Sequence, residues 1–88
     1  MNKMENLKRM PIELVTQKDV TEFINIASDC PTEVYIEDGS GNLRISGKSI
    51  LGVKMASIEW RDLYAVYSDD LIATKLMRFG RNSWLKKF

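Results

Sequence analysis

Hydrophobic patterning predicts an α+β fold: a two-layer open-faced sandwich in which one face of a four-stranded sheet is covered by three helices. Three observations carry this. Apolar residues alternate at period two in four short runs, and they recur at helical spacing between and after those runs. Asp38-Gly39-Ser40-Gly41 joins the two middle runs as a turn. A chain of 88 residues, 44% hydrophobic and 28% charged, supports one modest core and no second one.

Residues 1–9 are polar and read as a flexible extension, with the domain spanning 10–80. In MPIELV, residues 10–15, Met10, Ile12 and Leu14 alternate as in a strand. Pro11 lacks an amide donor and belongs at a strand start or on a sheet edge. Thr16 and Asp19 are both candidate caps for the first helix. Its apolar stripe is Val20, Phe23, Ile24 and Ala27, and Cys30-Pro31 ends it, because the residue before proline avoids the α region.

Val34 and Ile36, then Leu43 and Ile45, alternate with polar residues on either side of the turn, giving an antiparallel hairpin. GKSILGVKMAS, residues 47–57, reads as a short helix capped by Ser49. So short a helix cannot bury Ile50, Leu51, Val53 and Met55 together. Packing favours Ile50 and Val53 inside and leaves Leu51 and Met55 for a contact surface. DLYAVY, residues 62–67, is the last strand, with either Leu63, Ala65 and Tyr67 or Tyr64 and Val66 inward. Ser68, Asp69 or Asp70 caps a final helix in which Ile72, Leu76 and Phe79 share a face, with Gly80 as its stop. Residues 81–88 form a basic tail with Trp84 and Phe88, expected to pack back on the domain or on a second copy.

Composition narrows the chemistry. The chain has no histidine, which removes the commonest general base and zinc ligand. Glu37/Asp38, Asp62 and Asp69/Asp70 lie at turns and helix starts, where acids cap and stay solvated, and no nucleophile–base spacing accompanies them. No catalytic residue, metal site or cofactor is expected. The single Cys30 excludes an internal disulfide. No apolar run approaches the ~18 residues a bilayer crossing needs, and the polar start lacks a signal-peptide core, so a cytoplasmic protein is expected. A net charge of +1 gives no strong global field to steer nucleic acid or an anionic membrane, so neither is the expected partner. A small RNA-binding module using the tail with Tyr64 or Tyr67 is one alternative. A fold-only interaction domain, or a homodimer built through the Met-containing patch and tail, is another.

The element order, together with Lys48-Ser49-Ile50-Leu51-Gly52-Val53 after the third strand, resembles the HPr family, the histidine-containing phosphocarriers of the bacterial sugar phosphotransferase system. Phe23 and Ala27 in the first helix, and the hairpin, extend the similarity over residues 10–79. The resemblance implies an antiparallel sheet and a patch on the first two helices that docks partner proteins. That places Lys48, Ile50, Leu51, Lys54 and Met55 on a candidate partner surface. It also implies a regulatory role for Ser49, since many Gram-positive members are phosphorylated by a dedicated kinase at the equivalent serine and then bind a transcription regulator. The partners implied are phosphotransferase-system components, an HPr kinase or such a regulator.

One departure is decisive. Counting back from Phe23, Thr16 stands where the phosphorylated histidine would be, followed by Gln17, Lys18 and Asp19. An imidazole forms a phosphoramidate and gives it up readily, whereas a threonine phosphate is a stable ester. Asp19 would further repel an incoming phosphate. The resemblance therefore predicts a member without phosphocarrier activity.

Overall fold

In the computed structural model, residues 7–80 are described, and the expectations for 1–6 and for the tail at 81–88 lie outside them. The elements run β1 (Lys8–Ile12), α1 (Gln17–Asp29), β2 (Val34–Asp38), β3 (Arg44–Ser46), α2 (Ile50–Glu59), β4 (Leu63–Tyr67) and α3 (Asp70–Leu76). A 3₁₀ turn, Met77–Phe79, extends α3. The sheet order is β1-β4-β2-β3, with every neighbouring pair antiparallel. The α+β sandwich with a four-stranded antiparallel sheet is the fold expected from the sequence.

β1 starts at Lys8 and stops at Ile12, two residues before the expected start and three before the expected end. Charged side chains draw it into the polar segment: Lys8 Nζ pairs with Asp70 Oδ1 at 2.9 Å, and Arg9 Nε pairs with Glu37 Oε1 at 2.9 Å. Beyond Ile12 the strand's outer edge meets the chain leaving α3. Ile12 bridges Gly80, and the Glu13 amide donates to the Phe79 carbonyl at 2.8 Å. β1 is an edge strand, so Pro11 costs the sheet little.

Local signals explain the remaining ends. Thr16 caps α1 through a capping box: its Oγ1 accepts from the Asp19 amide at 3.1 Å, and Asp19 Oδ2 accepts from the Thr16 amide at 3.2 Å. In the hairpin turn, Gly41 takes φ +80°, a conformation that penalises any Cβ. Asp38 Oδ1 accepts from the Leu43 amide at 3.1 Å, and this bond holds the Asp38 carboxyl below the ordinary carboxylate range. Leu43 lies outside β3 and is exposed, where the alternation placed it inward. Asp69 caps α3, its Oδ1 accepting from the Leu71 amide at 2.9 Å. Gly80 ends the 3₁₀ turn at φ −56°, a value any residue adopts, so it acts there through its bridge to Ile12.

The core lies between the sheet and the three helices. Phe23 and Ala27 of α1, Val53 and Ala56 of α2, and Leu76 of α3 are fully buried against Val34, Ile36 and Ala65. Phe23 meets Phe79 edge-to-face with centroids 5.9 Å apart. On β4 it is Leu63, Ala65 and Tyr67 that face the helices. Among the described residues no helix is long and apolar enough to cross a membrane.

Candidate functional site

α2 departs from the usual surface helix, which is apolar on one face and polar on the other. Val53 and Ala56 fill the core, yet the outer half of the helix is apolar as well. Leu51 and Ile58 are each 82% exposed and Met55 is 40% exposed. With Lys54 they fall at i, i+3, i+4 and i+7, one continuous stripe. Ile50 is also exposed, so the packing that placed it in the core does not occur: the helix points that side chain out at its first residue.

The stripe continues onto α1. Val15, 75% exposed, and Thr16 and Gln17 at the start of α1 line a groove of about 340 Å³ together with Leu14, Lys54 and Ile58. The structure therefore brings Thr16 and Gln17 together with the far end of α2, and Lys54 is the charged side chain in that lining. Thr16 is committed to its cap, and Asp19 turns its carboxylate onto the Val15 and Thr16 amides, at 3.0 and 3.2 Å. Lys18 is exposed beside them without lining the groove.

Ser49 sits at the opposite end of α2, roughly 13 Å along the helix axis from Ile58. It is exposed, and its Oγ accepts from the Gly52 amide at 3.1 Å. Gly52 sits close to both neighbours: a Cβ there would stand 3.1 Å from Ser49 Oγ and 3.2 Å from Ile45 Cδ1, tight contacts that the neighbouring side chains would have to yield to. Its neighbour Lys48 is already engaged: Nζ donates to the Cys30 carbonyl at 3.2 Å, which places a cation at the C-terminal end of α1. Lys48 thus ties α1 to the β3–α2 loop, away from the groove.

Sequence reasoning missed Val15 and Ile58. The spacing from Leu51 signals Ile58 once α2 is known to run to Glu59; Val15 carries no such signal. Tyr67, named for an RNA-binding alternative, is buried on the helix side of the sheet, whereas Tyr64 lies on the other face. Cys30 is buried, its Sγ 3.3 Å from Thr32 Oγ1. No family model, curated protein or solved structure matches the chain.

Proposed function

We propose that this chain is an HPr-like binding or regulatory protein without phosphocarrier activity, acting through the apolar stripe of α2 and the adjoining start of α1. The observation that carries the reading is the exposure of Leu51, Met55 and Ile58 on a helix whose inner half is already packed. An apolar centre rimmed by polar and charged groups is the build of a protein-docking surface. The antiparallel pairing of the sheet and the position of Ser49 at the head of α2 support the resemblance on which the finer reading rests.

Ser49 is the proposed switch. A phosphate adds about −1.5 to −2 charge at pH 7 and suits the free amides and positive dipole end of a helix N-terminus. It would alter the charge beside Ile50 and Leu51 without unfolding α2. The partner is a phosphotransferase-system component, an HPr kinase or a transcription regulator.

The test is phosphorylation by an HPr kinase with ATP. Incorporation at one site, lost in Ser49→Ala, is expected; no incorporation removes the switch. Phosphoenolpyruvate with the general phosphotransferase enzymes should leave the chain unmodified, and transfer to it would sink the non-carrier reading.

A further inference from the structure

The sheet face turned away from the helices carries its own organised cluster. Cross-strand partners share a face, which gives two rows: Arg9, Val66, Tyr35 and Ser46 beside Pro11, Tyr64, Glu37 and Arg44. Tyrosines thus stand on the two central strands, β4 and β2, and arginines on the two edge strands, β1 and β3. Arg9 Cζ lies 4.1 Å from the centroid of the Tyr64 ring, and Arg44 Cζ lies 4.9 Å from that of Tyr35. Both guanidiniums converge on Glu37. Arg9 Nε donates to Oε1 at 2.9 Å, and Arg44 Nε donates to Oε2 at 2.8 Å, joined there by Arg44 Nη2.

Glu37 is 5% exposed, and withdrawing a carboxylate from water costs several kcal/mol unless its partners are well placed. An apolar residue would close this position without that cost. The carboxylate instead holds two guanidiniums over aromatic rings while the Arg9 and Arg44 side chains stay 43% and 36% exposed. Two arginines against one glutamate leave a local charge of 2 − 1 = +1.

We propose that this face is a platform for single-stranded nucleic acid, with bases stacking on the guanidiniums of Arg9 and Arg44 and phosphates accepting their remaining N–H groups. Guanidinium is planar, delocalised and weakly hydrated, so it stacks on a base where an ammonium does not. A single strand supplies both unstacked bases and phosphates. A duplex hides its base faces, and a protein partner is better served by the apolar stripe on the helix side. One net charge makes the binding weak, tolerant of sequence and shallow in its salt dependence.

Fluorescence anisotropy of the full chain with a labelled oligoadenylate of about eight nucleotides tests this. Saturable binding is expected at low salt, with a log–log salt slope of about −0.7 to −1.4 for one or two phosphates neutralised. Arg9→Lys and Arg44→Lys keep the charge and lose the plane, and each should weaken binding about tenfold, while Trp84→Ala leaves it unchanged. Amide shifts on the unaltered protein provide a readout independent of any variant's folding. They should fall on Tyr35, Glu37, Tyr64 and Val66 and spare Leu51, Met55 and Ile58. Absent binding, full affinity in both lysine variants, loss only in Trp84→Ala, displacement by a duplex, or shifts confined to α2 would each overturn the proposal.

Discussion

Thr16 illustrates how a single side chain can look functional and be structural. It stands where the resemblance puts a phosphocarrier histidine, yet its hydroxyl accepts the Asp19 amide and its own amide is held by the Asp19 carboxylate. The sequence left Thr16 and Asp19 as rival caps; in the fold they are the two halves of one box. Thr16→Ala should cost about 1 kcal/mol, and Thr16→Ser should restore most of it. In thermal unfolding that is a drop of roughly 4–8 °C for a domain of this size. Glu37 corrects the sequence reading: expected at a turn and solvated, it lies within β2 and is buried. It is held by Arg44 across the hairpin and by Arg9, 28 residues away, a pairing that only strand register creates.

Elements defined by short-range chemistry were the most legible. The β2–β3 turn is organised by Asp38, whose carboxyl accepts from the Leu43 amide and also from the Ser40 hydroxyl, at 3.1 and 2.9 Å. These bonds, led by the one from Leu43, depress its pKa. A carboxyl that is more acidic in the folded chain contributes stability above the ordinary carboxylate range, and that contribution is lost as pH falls through the folded value. Asp38→Asn should therefore unfold at lower urea than the unaltered chain near neutrality, with the gap closing below about pH 4. A gap independent of pH would assign the effect to turn geometry alone. α2 was legible in its cap and its apolar content, while its length, and hence the place of Ile58 on the stripe, was not.

Across the whole molecule, one core decides which apolar residues are structural. Phe23 joins α1 to the sheet and to Phe79, and Phe23→Ala should cost about 3–5 kcal/mol, a large part of the ~5–15 kcal/mol available to such a domain. Leu51→Ala, with the side chain 82% exposed, should stay within about 0.5 kcal/mol of the unaltered chain in urea unfolding. A comparable loss for both would place Leu51 in the core and remove the docking stripe. The sequence by itself determined the element order, the hairpin, the Ser49 cap and the absence of histidine, because each depends on residue identity or on neighbours a few positions away. Only the tertiary structure decided which face of β4 is buried, that Lys48 closes the end of α1, that Val15 and Ile58 line one groove, and that Arg9 and Arg44 share Glu37. Those pairings follow from strand register and helix docking, which join residues far apart in the chain and leave no periodicity to read.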